Sequence, residues 1–132
     1  MKIRIRRDSI RLRLSQKEVA QIATGEMVQD VTRFPQGEKF SYCLDASSTI
    51  KEIEARLEDH RIIIVMPTKK ALAWASSNEV ALKANLPIQK NSGDQLFILI
   101  EKDFQCLKAR ENESEDESDL FINPNAAHGS CG

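Results

Sequence analysis

One order of structural signals occurs twice in this chain, at a fixed distance. Ile10, Leu12 and Leu14 alternate with polar residues up to Ser15, a helical stretch follows over residues 16–23, and Glu26-Met27-Val28 opens the next strand. The second half has an apolar run over residues 63–66, then Pro67-Thr68, a helical stretch over residues 69–75 and a new strand from Glu79. Matching Ser15 to Thr68 and Glu26 to Glu79 gives one offset both times (68 − 15 = 53 and 79 − 26 = 53). A supersecondary unit used twice restricts the chain to a small pseudo-symmetric domain, and looking for such periods precedes any search for motifs. Aligned identities are few, Lys17/Lys70, Ala20/Ala73 and Glu26/Glu79 among them, so the match is one of pattern. A coincidence of common strand and helix order is the alternative reading.

Each unit reads as strand, strand, helix, strand, strand. Ile3 and Ile5 alternate with Lys2, Arg4 and Arg6, and after Arg7-Asp8-Ser9 the alternation resumes, which predicts a hairpin apolar on one face and basic on the other. Ser15 with Glu18 three residues later is a capping box, Val19, Ile22 and Ala23 form the inward stripe of the first helix, and Gly25 closes it. Residues 27–34 and 39–44 form the next strand pair, joined across Pro35-Gln36-Gly37-Glu38. In the second unit Ile53, Ala55 and Leu57 alternate with charges up to a turn at Asp59-His60, and residues 62–66 are apolar on both faces, as in a central strand. Thr68 is the expected cap of the second helix, with Leu72 and Ala75 where Val19 and Ile22 stand in the first. Residues 79–86 and 96–104 make the last pair. The fold class is therefore α+β: duplicated ββαββ units building an antiparallel sheet or a partly closed barrel with two short helices. A cradle-like barrel of the kind built by hairpins that swap between chains has a similar order.

At 132 residues one domain is the natural assignment, here residues 1–108. The formal charge of −1 exerts no global pull on nucleic acid or acidic lipid, but it hides a polarity along the chain. Lys2, Arg4, Arg6, Arg7, Arg11 and Arg13 crowd the start, whereas Glu111, Glu113, Glu115, Asp116, Glu117 and Asp119 fill a late stretch. Residues 109–132 form an acidic tail too hydrophilic to order itself, interrupted by Leu120, Phe121 and Ile122, through which it is expected to dock in part on the domain. No apolar run reaches the length of a membrane span, and the start has no apolar secretory segment, which points to the cytoplasm. Three cysteines, Cys43, Cys106 and Cys131, argue against a disulfide framework.

Several segments carry a resemblance: Met1-Lys2-Ile3-Arg4-Ile5, Ser9-Ile10-Arg11-Leu12-Arg13-Leu14, the block Glu101-Lys102-Asp103-Phe104-Gln105-Cys106-Leu107 and Phe121-Ile122-Asn123-Pro124-Asn125. Through nearly its whole length the chain resembles a family of small uncharacterised bacterial proteins, a domain of unknown function. The resemblance implies a compact cytosolic protein and carries over no catalytic or binding residue.

Four constellations bear on function. Cys106, His128 and Cys131 supply zinc-type ligands, the spacing His128-x-x-Cys131 lets a tight turn present both to one metal, and Glu101, Asp103 or His60 would be the fourth. Against this, Cys106 reads equally as a small buried hydrophobe and the other two as residues of a frayed terminus. Arg4, Arg6, Arg11 and Arg13 form a ladder that could meet phosphates at strand spacing, yet the hairpin lacks the aromatic platforms of nucleic-acid sheets, so a solvated face is the plainer reading. Trp74 lies 53 residues after Gln21, a polar position of the first helix, which makes the lone tryptophan a candidate partner or dimer surface; cover by strand or tail residues is the other reading. Cys43 has no neighbouring histidine to activate it, and there is no phosphate loop or nucleophile elbow. The resulting expectation is a non-enzymatic binding or regulatory module acting through protein contacts, with a protein partner or, as a homodimer, a second copy of the chain, and with zinc binding and nucleic-acid binding as the rivals.

Overall fold

Strand and helix boundaries follow the hydrophobic pattern closely. The computed structural model describes residues 1–104. In chain order the elements are β1 (Lys2–Ile5), β2 (Ser9–Leu14), α1 (Gln16–Ala23), β3 (Val28–Arg33), a single 3₁₀ turn at Pro35–Gly37, β4 (Lys39–Ser47), β5 (Glu54–Glu58), β6 (Arg61–Pro67), α2 (Thr68–Ala75), β7 (Ala81–Pro87) and β8 (Gln95–Lys102). The order ββαββ thus occurs twice, and the class is α+β with two short helices.

The strands divide into two four-stranded sheets, ordered β1-β2-β8-β7 and β3-β4-β6-β5, and no barrel closes among the described residues. Hairpin partners run antiparallel, as their short connections require. The central pairs do not. β2 lies parallel to β8 and β4 parallel to β6, so both sheets are mixed rather than purely antiparallel. The cause is the course of the helices: α1 carries the chain from β2 into the other sheet, and α2 carries it back from β6. Each sheet therefore combines the first hairpin of one unit with the last hairpin of the other.

Register shows how the halves correspond. Leu12 pairs with Ile100 and Ile64 pairs with Leu44, so Leu12 matches Ile64 and Leu44 matches Ile100. The spacing is 52 through the first hairpin and helix (64 − 12 = 52; α2 begins at 68 and α1 at 16) and 56 in the last strand (100 − 44 = 56). No constant offset of 53 therefore runs through the chain: the spacing is 52 up to the helices and has grown to 56 by the last strand. Trp74 consequently matches Ile22, and both are fully buried. This corrects the reading of Trp74 as an exposed partner surface: its indole is enclosed by the core and donates to the Val80 carbonyl at 3.4 Å. Leu72, expected inside, is about half exposed, because Ala71 and Trp74 form the inner stripe of α2.

The caps differ between helices. Ser15 and Glu18 make the reciprocal box on α1, with Glu18 N–H donating to Ser15 Oγ and Ser15 N–H donating to Glu18 Oε1. Gly25 at φ +87° follows the end of the helix and donates to the Ile22 carbonyl. On α2 the cap position is Pro67, and Thr68 is the first helical residue and makes no side-chain cap. Proline is tolerated there because the first N–H groups of a helix have no intrahelical partner.

The inner faces of the sheets and the two helices share one core: Leu12, Leu14, Ile98 and Ile100 from one sheet, Leu44, Ile62, Ile64 and Met66 from the other, and Val19, Ile22, Ala71 and Trp74 from the helices. Each buried valine, leucine, isoleucine or methionine among them contributes about 1.5–3 kcal/mol relative to exposure. α1 and α2 pack together at the end where β2 and β6 finish. The β1–β2 and β5–β6 turns and the β3–β4 and β7–β8 loops lie at the opposite end, because β8 and β4 run parallel to β2 and β6.

Candidate binding face

Alternation along the strands sends every second side chain of the β1-β2-β8-β7 sheet away from the core. Two registers define the outward rows. Lys2, Arg13, Glu101 and Ala81 lie across from one another near the helix end, and Arg4, Arg11, Leu99 and Lys83 form the next row. Ser9, Phe97 and Asn85 make the third. Arg6 and Arg7 follow β1 in the turn that ends the face. Among the described residues, these rows hold Lys2, Arg4, Arg11, Arg13 and Lys83 together with Glu101, and Asp103 stands just beyond the helix end of the face.

That carboxylate organises the middle of the ladder. Arg11 Nε is 3.2 Å from Glu101, and Arg13 Nε donates to the same oxygen. Arg13 and Glu101 are both nearly covered, so this pair is part of the sheet and not a loose surface contact. Lys2 Nζ reaches Asp103 at 3.0 Å while most of its side chain stays exposed. Arg4, Arg6, Arg7 and Lys83 lie at exposed positions along the strand and the turn. Arg4 stands directly opposite Arg11 in the register of the hairpin.

Of the sequence-predicted ladder, the structure brings Arg4, Arg11 and Arg13 onto one face with Arg6 at its end. The pattern missed Lys83, Phe97, Leu99 and Glu101 as members. Their own alternation was visible, but only the parallel register of β8 against β2 places them beside the arginines.

A second polar cluster lies at the join of the two sheets. The Met1 ammonium contacts Glu18 of α1 and donates to Asp30 Oδ2 of β3 at 2.8 Å, and Tyr42 O–H donates to the Met1 carbonyl at 2.9 Å. Burial opposes the charge of this ammonium, but hydrogen bonds to Asp30 and Glu18, with their charges, outweigh it and raise its pKa. For Glu18 burial likewise opposes charge, and the ammonium and the Ser15 N–H overcome it, holding the carboxyl below its usual range. The Tyr42 hydroxyl is pushed up by burial, then by the charges of Asp30 and Glu18.

The proposed zinc ligands Cys106, His128 and Cys131 lie outside the described residues. Their suggested companions do not come together: Glu101 is tied to two arginines, Asp103 follows β8 at the helix end, and His60 sits in the β5–β6 turn at the other end. Among the described residues no group of three His, Cys, Asp or Glu side chains could hold a metal ion. Cys43 is a buried free thiol. Among the described residues no helix is long and apolar enough to cross a membrane.

No curated protein and no solved structure matches this chain. A family model does match, over residues 1–125, and with that coverage the chain belongs to a family of unknown function, DUF7009.

Proposed function

We propose that this protein is a non-enzymatic binding module that acts through protein contacts, and that the cationic outer face of the β1-β2-β8-β7 sheet receives an acidic, extended segment of a partner. The observation that carries the reading is the row geometry. Lys2 and Arg4 lie on an outer strand with Arg11, Arg13 and Lys83 across the face, so cations recur about every 7 Å along a strand, the repeat at which an extended acidic chain presents carboxylates. Phe97 is the one aromatic side chain on the face among the described residues, a poor platform for stacked bases, which favours an acidic peptide over nucleic acid.

The test is fluorescence anisotropy with an oligoglutamate probe and a single-stranded DNA of equal charge. The probe should bind at low salt, weaken as salt screens the contact, and lose about tenfold or more in affinity in the Arg4→Glu, Lys83→Glu chain. Equal affinity in the original and substituted chains, or a tighter hold on the DNA than on the peptide, overturns the reading; the second result favours the nucleic-acid role of the arginine ladder instead.

A further inference from the structure

We propose that the outer edge of β5 is a docking surface for β5 of a second copy of this chain, paired antiparallel about a two-fold axis at Leu57. The β3-β4-β6-β5 sheet would then run on through both chains. β5 ends its sheet, and among the described residues no strand lies beyond it. The turn that follows sets which of its backbone groups are unused. Asp59 and His60 both have positive φ, as in the two-residue hairpin turn whose flanking residues, here Glu58 and Arg61, are a hydrogen-bonded pair. Counting back by twos, Glu54, Arg56 and Glu58 direct their backbone groups to β6, and Ala55 and Leu57 direct theirs out of the sheet. Such a row is a template for another strand. Leu57 stands in it with 71% exposure, the highest of any large hydrophobic residue among those described.

Charge selects the second copy as the occupant. With Leu57 facing Leu57 of the second copy, Arg56 stands across from the second copy's Glu58 and Glu58 across from its Arg56, in the closer, non-hydrogen-bonded pairs. Within one chain Arg56 Nε is already 3.2 Å from Glu58 Oε1, and both side chains are at least half exposed. Two joined edges therefore set four charges that alternate in sign along and across the strands. Sliding the register so that Ala55 faces Leu57 sets Arg56 against Arg56 and Glu54 against Glu58, and centring it on Ala55 would bring in Ile53, which is buried and lies outside the strand. The other edges lack this match. β1 is the counterpart of β5 in the first unit, since Lys2 pairs with Arg13 as Glu54 pairs with Val65, 52 residues on in both cases (54 − 2 = 52 and 65 − 13 = 52). Where β5 has Arg56 and Glu58, the first unit has Arg4 and Arg6, both of one sign. β7 has Lys83 and ends at Pro87, features that blunt an edge, and Asp30 of β3 is held by the Met1 ammonium. β5 belongs to the other sheet, so the pairing is independent of what the β1-β2-β8-β7 face binds.

Analytical ultracentrifugation of the full-length chain tests this, at concentrations up to about 1 mM because contacts of small area are weak. The original should show a reversible equilibrium between monomer and dimer that shifts toward monomer as salt rises. Arg56→Glu and Glu58→Arg each set like charges across the axis, and each should weaken dimerisation by about tenfold or more while the thermal midpoint of the monomer holds. Mixed in equal amounts, the two variants should associate with one another about as tightly as the original does with itself, because every cross pair is again of opposite sign. In a third variant, Leu57→Cys, a short bis-maleimide should join position 57 of one copy to position 57 of the other, as located by peptide mapping. A chain that stays monomeric over the whole range overturns the proposal. A dimer that neither charge variant weakens, or a mixture of the two that associates no better than either alone, overturns it equally.

Discussion

At the scale of single residues, the Met1 ammonium and Glu18 make the clearest claim about pH. Glu18 has a depressed pKa in the folded chain, so its contribution is present above the unfolded carboxyl value and is lost as pH falls through the folded one. The ammonium has a raised pKa, so its contribution is complete below the ordinary 8.0 and is lost as pH rises through the folded value. Thermal melting as a function of pH should therefore show a plateau between the two, and Glu18→Gln should lower the plateau and flatten the acid limb; an unchanged acid limb in that variant would contradict the assignment. Trp74 shows at the same scale why part of the molecule was not legible in the pattern. A helix turns by about 100° per residue, so an error of one in the offset moves a position from the inner stripe to the outer. Reading 53 in place of 52 exchanged Ile22 for Gln21 as its counterpart. Core-forming positions would have been the safer markers, because burial leaves less freedom than a cap does.

Among the elements, hairpins and the first helix followed their local signals, and the second helix and sheet membership did not. The capping box on α1 was readable because its chemistry lies within four consecutive residues. Thr68 looked like a cap by analogy, but Pro67 already has the extended backbone a cap position needs, with φ −60° and ψ 137°, and the helix starts one residue earlier than expected. The β5–β6 turn was recognised from Asp59-His60, and its geometry adds a prediction. Both residues have positive φ, 48° and 62°, the pairing that favours Asn or Asp followed by Gly. His60 there has the cost of a side chain in the left-handed region, so His60→Gly should stabilise the protein by up to about 1 kcal/mol, read as a higher midpoint in denaturant without a change in slope. A lower midpoint would mean that the imidazole makes a contact worth more than the backbone strain. The cationic face was half legible for a related reason: the arginines belong to one hairpin, whereas Lys83 and Glu101 come from another that pairs with it in parallel, and parallel pairing leaves no local mark.

For the molecule as a whole, the governing feature is the exchange of hairpins between sheets. Neither half owns a complete sheet, since β2 relies on β8 and β6 on β4. Residues 1–51 and 52–132 prepared separately should each fail to unfold cooperatively as a monomer, and mixing them should restore the cooperative transition; a half that melts alone as a monomer would show that the interleaving is dispensable. The face proposed for binding shares this dependence, because its rows are completed only when the last hairpin docks on the first. There is a consequence for how the chain is born. During synthesis the first hairpin emerges with Ile3, Ile10 and Leu12 turned toward a neighbour that is still about ninety codons from being translated, as the pairing of Leu12 with Ile100 dictates. Until the ribosome has passed the eighth strand, the nascent polypeptide has a sticky, positively charged ribbon and no means of closing it, which makes that interval its most vulnerable moment.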